Sequence, residues 1–245
     1  LVTRGMPLPL DATPHAWIWL SISGLIGFVI GDLFLFQAYV LIGARISMLI
    51  MALAPPITAV LGYFFLGETL TYMTLVGMAL TFAGIATVIL VKKDGGSKVE
   101  LSHPVKGLSY AFMGAIGQAF GLVTSKIGMG DYNAFSSTQI RIIAGIVGFL
   151  AVYAVGRQWG ILPKAFKDSK GIRLIAMGAF FGPFLGVSMS LIAVRNTEVA
   201  IASTIMSIMP VLIIPVSVVL FREKVRLKEI LGAIITVTGV VVLFL

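Results

Sequence analysis

The sequence predicts an all-α integral membrane protein: a helix bundle of two inverted-topology repeats, with eight transmembrane helices present of an expected ten. Of the 245 residues, 58% are hydrophobic and only 11% charged, whereas a soluble domain of this length carries roughly a quarter charged residues. Apolar stretches long enough to cross a hydrocarbon layer of roughly 30 Å as helices recur from end to end. Sliding the chain along itself by 155 positions also aligns residues 16–90 with residues 171–245 without a gap.

Eight apolar stretches follow one another: 16–42, 46–66, 70–91, 105–129, 134–155, 171–194, 199–221 and 227–245. Connectors are short except for KKDGGSKVELSHP and GRQWGILPKAFKDSKG, so almost nothing remains from which to build a water-soluble domain. The duplication falls on residues that chance apolar similarity would not select. Gly27 meets Gly182, Gly31 meets Gly186, Ala38 meets Ala193, Pro55 meets Pro210, Glu68 meets Glu223, Gly77 meets Gly232 and Gly84 meets Gly239. Internal duplication of this kind marks transporter folds, whose site forms between two halves.

The second half has two helices, 105–129 and 134–155, ahead of its matched triplet, where the first half has only LVTRGMPLPLDATPH. The expected parent is therefore a ten-helix protein with five helices per half, and an odd number per repeat inverts one half relative to the other. On this division residues 1–91 form a first repeat lacking its first two helices, 92–104 a connecting loop, and 105–245 a second repeat of five helices.

The same residues carry a resemblance. APPITAVLGYFFLGETLTYMTLVGMALTFAG in the first half and MPVLIIPVSVVLFREKVRLKEILGAIITVTG in the second each resemble the end of an EamA-type domain of the drug/metabolite transporter superfamily. The shared pattern is a membrane-centre proline, a helix ending near a glutamate, a short turn, and a final helix with spaced glycines. The resemblance implies ten helices, a central cavity open to alternate sides, and export or exchange of an amino acid, nucleotide sugar or drug-like compound by secondary transport. The second half departs from the pattern with FREKVRLKE where GETLTYM stands in the first. Glu68 and Glu223 each fall at a helix end, where a carboxylate can cap the next helix.

Asp32 lies near the middle of the stretch 16–42. A charge there costs about 2.5 to 3.5 kcal/mol on insertion scales, so it faces a polar cavity or a partner. Its functional reading is a substrate or proton site; its structural one is a buried hydrogen bond to a neighbouring helix. Gln118 sits at the centre of 105–129, with Gln139 and Arg141 a turn or two into the next stretch. Such groups suit hydrogen bonding to a carboxylate, an amide or a phosphate. Arg141 also matches an arginine found near the start of the second helix of an EamA repeat, and its long side chain could instead snorkel to the interface. The candidate substrate-binding set is Asp32, Gln37, Gln118, Gln139, Arg141, Ser188 and Ser207.

Ser188, Ser190, Ser203 and Ser207 place small hydroxyls on two second-half helices, where bonding to their own backbone is common. Met48, Met51, Met206 and Met209 are candidate cavity lining or plain packing. Pro55, Pro56, Pro183, Pro210 and Pro215 are expected to kink helices and expose carbonyls. The pairs Gly27 with Gly31, Gly117 with Gly121 and Gly182 with Gly186 permit close helix contact.

With no cysteine in the chain, disulfides and thiolate metal sites are excluded. The net charge of +8 comes from residues in membrane-flanking loops without aromatic interleaving, so nucleic acid is not an expected partner. Arg45 and the connectors 92–106, 157–173 and 222–228 share one face, which the positive-inside rule puts in the cytoplasm, with the C-terminus outside. An intramembrane enzyme would need a nucleophile, metal cluster or carboxylate pair, and neither G-x-S-x-G nor H-E-x-x-H occurs. A channel or structural membrane subunit is the other alternative, against which the duplicated halves weigh. The expected partners are a small-molecule substrate, with protons as candidate coupling ion, and membrane lipid. No cofactor or metal is expected. The protein is expected to work as a monomer in the plasma or inner membrane, crossing it many times.

Overall fold

The computed structural model describes residues 9–92, 99–101, 103–157, 167–206 and 227–242. These are helical except for turns and one short antiparallel ribbon. The first helix, α1 (Pro14–Gly24), starts where the Thr13 side chain accepts from the Ala16 N–H and Pro14 occupies the first turn. There the missing proline N–H costs nothing. The helix widens into a π-turn over Leu25–Gly31 and resumes as α2 (Asp32–Met51), in which the Asp32 N–H bonds the Gly27 carbonyl, five residues back.

The break expected between 42 and 46 is a sharp bend at Gly43, whose φ of 78° and ψ of 159° suit a residue without a Cβ. The chain remains helical on both sides of it. Pro55 and Pro56, expected to kink a continuous helix, instead open a new one, α3 (Ala54–Leu66). Gly67 ends α3 with φ 68°, and the Thr71 side chain, which accepts from the Thr74 N–H, starts α4 (Tyr72–Ile89).

The first long connector contains a ribbon absent from the sequence reading: β1 (Leu90–Lys92) pairs with β2 (Val99–Leu101), Leu90 opposite Leu101. Then come α5 (Val105–Met129), α6 (Ala134–Val155) and α7 (Ser169–Ala179), followed by a second π-turn over Phe180–Gly186. The last described helices are α8 (Val187–Asn196), α9 (Val199–Met206) and α10 (Leu227–Val242). Ser207, Met209, Pro210, Pro215 and Glu223 lie outside the described residues.

A glycine seam holds the bundle together. α5 runs antiparallel along residues 20–42, with Gly107 at Ile42, Gly114 at Leu35, Gly117 at Gly31, Gly121 at Gly27 and Gly128 at Leu20. A Cβ on Gly117 or Gly121 would strike the opposing glycine backbone, so the two small-residue motifs are the surfaces that meet. On the other side α6 closes on the same helix, Gly148 against Leu25 and Val29, and Gly24 against the Arg141 backbone.

The 155-residue repeat reappears in the punctuation of the backbone. α1, the first π-turn and the starts of α2 and α4 at Asp32 and Tyr72 recur at α7, the second π-turn, Val187 and Leu227. α4 and α10 pack antiparallel through equivalent contacts: a Cβ on Gly84 would meet the Gly232 carbonyl, and one on Gly239 the Gly77 carbonyl. Thr81 and Thr236 bond back to the Gly77 and Gly232 carbonyls, each at 2.8 Å.

Pro14–Met51, Tyr72–Ile89, Ala134–Val155 and Ser169–Asn196 are long and apolar enough to cross a membrane. α5 and α6 cover the Asp32 helix, whereas in the first part of its repeat mate nothing in α7 or the second π-turn is buried.

Candidate functional site

The polar centre is built on the glycine seam. The π-turn ends at Asp32, and α5 passes close enough there for the Gln118 Nε2 to donate to Asp32 Oδ1 at 2.8 Å. Arg141 approaches from α6 and attracts Asp32 electrostatically. Its side chain does not snorkel: Arg141 is 3% exposed, with its guanidinium 4.7 Å from the Phe28 ring centre. A guanidinium packed on an aromatic face suits a dry site, and its Nε finds no acceptor among the described residues. Asp32 thus meets two neighbouring helices rather than lipid.

Gln118 also borders a cavity of about 220 Å³ between α2, α3, α5 and α9. Leu35, Tyr39, Met48, Met51, Leu122 and Met206 supply most of its wall, and Thr58 and Ser203 lie side by side in it, the Ser203 hydroxyl 3.5 Å from that of Thr58. The Tyr39 hydroxyl donates to the Met48 sulfur at 3.0 Å. Because Gln118 gives an N–H to Asp32, the amide oxygen is its available acceptor. Asp32 stands behind Gln118 and is not itself part of the described wall.

The other expected site residues scatter. Gln37 is exposed on α2, away from this wall, and Gln139 is half-buried on α6. Ser188 is buried on α8 with no hydrogen-bond partner for its hydroxyl among the described residues. Its neighbours Val187 and Leu191 pack with Ala16, Leu20 and Ile140, not with the cavity. Ser190 bonds back to the Gly186 carbonyl at 2.8 Å, and Ser207 lies outside the described residues. Met48, Met51, Met206 and Ser203, read as candidate lining, are at the wall. Tyr39 and Thr58 went unnoticed in the sequence. The seven-residue spacing of Asp32, Leu35 and Tyr39 on one helical face was the available signal.

Glu68 does not cap the next helix, as the sequence suggested; Thr71 does that. Its Oε1 instead accepts from the Val199 N–H at 2.9 Å, at the start of α9, and from Lys126 Nζ at 3.0 Å. Lys126 Nζ also donates to the Thr197 carbonyl at 2.9 Å. The capping chemistry is as expected, but the capped helix is 131 residues away.

The EamA-like transporter family matches residues 1–90 and 105–245. The chain belongs to that family. This EamA-family chain is a multi-pass membrane transporter and not an enzyme. It is 21% identical over 221 residues to an uncharacterized transporter of Archaeoglobus fulgidus, a match spanning 89% of this chain and 74% of the relative. A solved crystal structure, described only as that of a protein, resembles it at a TM-score of 0.60 and 17% identity, over 92% of this chain and 74% of the other. That likeness concerns the fold alone.

Proposed function

We propose that the transporter moves a compact, largely apolar solute bearing an N–H donor, such as a protonated amine, by alternating access between two repeats inverted across the membrane. The observation that carries the solute class is the wall around Gln118: thioethers, leucines and one tyrosine, with the Gln118 amide in the wall and the Asp32 carboxylate bonded to its Nε2. Soft sulfur and aromatic surface suit an apolar body, and the amide oxygen suits an N–H. No lysine, arginine or histidine is among the described wall residues, which disfavours phosphates and nucleotide sugars.

The inverted arrangement is supported by the antiparallel packing of the repeat mates α4 and α10 and by the recurrence of the π-turn. The proposed repeats are residues 1–91 and 105–245, joined by 92–104. Midplane carboxylates in transporters serve ion or substrate coupling, so Asp32 is the proposed proton site. The protein works as a monomer surrounded by lipid in the plasma or inner membrane, with its basic connectors in the cytoplasm.

Reconstituted protein in liposomes, supplied with radiolabelled apolar amines, should show saturable uptake and counterflow. Phosphate esters should not compete. Flux that rises linearly with concentration without counterflow would mark a channel, and competition by phosphate esters would overturn the solute class.

A further inference from the structure

The cavity does not reach the end of the bundle at which α3, α5 and α9 converge. On α5 and α9 the wall residues Leu122 and Ser203 lie four positions from Lys126 and Val199, one helical turn or about 6 Å. Between these levels Leu61, Val123, Val199 and Ala202 pack as a buried apolar cluster, joined by Leu66 and Ile127. Beyond the cluster sits the polar node of Glu68, Lys126 and the Thr197 carbonyl.

We infer that this node is the latch that closes the cavity on the face opposite the basic connectors, an inference that rests on the cavity being the solute path. Glu68 follows α3, from the first repeat; Lys126 and Val199 belong to the second. Opening this end requires α3 to part from α9, and the contacts that must break are those converging on Glu68 Oε1. Charge-assisted bonds of this kind are directional and lost together when the helices separate. The latch is also built to release. Glu68 Oε2 is buried against Gly62 with no donor among the described residues, so closure leaves one carboxylate oxygen unsatisfied, whereas opening returns it to water.

The chain has no cysteine, so a single reporter can be introduced cleanly. Thr58→Cys on the cavity wall, in proteoliposomes of defined orientation, is exposed to a membrane-impermeant maleimide added from the Glu68 side. Glu68→Gln, which keeps an acceptor for Val199, and Lys126→Met, which leaves the Glu68 cap in place, should each raise the labelling rate by on the order of tenfold, the scale of one charge-assisted hydrogen bond. The double exchange Glu68→Lys with Lys126→Glu should label more slowly than either single charge reversal. Unchanged labelling in both neutralised variants would overturn the latch, as would a double exchange labelled as fast as the single reversals. Labelling reads opening without any solute. Raised labelling with no amine flux would therefore keep the latch and sink the solute class, and unchanged labelling with normal flux would do the reverse.

Discussion

The mated stretches Pro14–Met51 and Ser169–Asn196 share their punctuation and differ in nearly everything chemical. Both begin with a side-chain cap, widen into a π-turn over equivalent residues, and resume where an N–H reaches back to an equivalent glycine, Gly27 or Gly182. The first is enclosed: its glycines meet those of α5, and Asp32 finds Gln118 and Arg141. In the second, Val187 stands where Asp32 does, a Cβ on Gly182 would meet nothing, and α7 is bare. Duplication preserved the backbone geometry, and the chemistry lies in what the copies do not share. Among the described residues the polar centre of Asp32, Gln118 and Arg141 belongs to one copy of the frame and has no counterpart at Val187 in the other.

The largest test of this contrast is steric. Gly121→Leu should destabilise the protein by about 1–3 kcal/mol or more, since the new side chain has backbone on the far side and no flexible neighbour to displace. The mate of Gly27, altered as Gly182→Leu, should change little because the space there is open. Thermal unfolding in detergent measures both. Equal losses would mean that the second helix is enclosed by contacts of its own.

Next in size is the charge. Asp32→Asn keeps shape and one acceptor for Gln118 but removes the carboxylate. It should cut transport by on the order of tenfold, as expected for losing hydrogen bonding to a charged group, and also lower the unfolding temperature, because the buried Arg141 loses its counter-charge. Wild-type transport by this variant would reduce Asp32 to a helix-packing residue. Gln118→Leu should lower transport similarly while also raising the apparent KM, since Gln118 borders the cavity directly.

The all-helical, membrane-spanning class was legible in the chain because it is written in local terms. Apolar length gives the helices, the glycine spacings give the faces that can approach closely, and the 155-residue register gives the mates. What could not be read was which surfaces meet. Gly117 and Gly121 announce a close contact, but only packing reveals Gly31 and Gly27 as their partners. Glu68 announces a cap, but its helix begins 131 residues later, and no local spacing encodes that distance. Ser188 is polar and deep, as a site residue should be, yet its neighbours Val187 and Leu191 pack in an apolar cluster and it is not among the described wall residues of the cavity.

The smallest expected effect gives the sharpest comparison. Gln37 is the polar residue one helical turn and a half beyond Asp32, and its repeat mate is Ile192. Polarity near the membrane centre would by itself recommend both Gln37 and Gln118 as solute ligands. Geometry separates them: Gln118 bonds Asp32 and borders the cavity, whereas Gln37 is exposed on the outer side of α2. Replacing it with its mate, Gln37→Ile, should therefore leave flux unchanged and move the unfolding free energy by no more than about 0.5 kcal/mol, the range of surface substitutions. Because the replacement adds apolar surface to a helix face turned outward in the membrane, any shift should favour the folded protein. A loss of transport comparable to that of Asp32→Asn would place Gln37 on the solute path, and the solute would then have to pass between α2 and its surroundings rather than through the cavity beside Gln118.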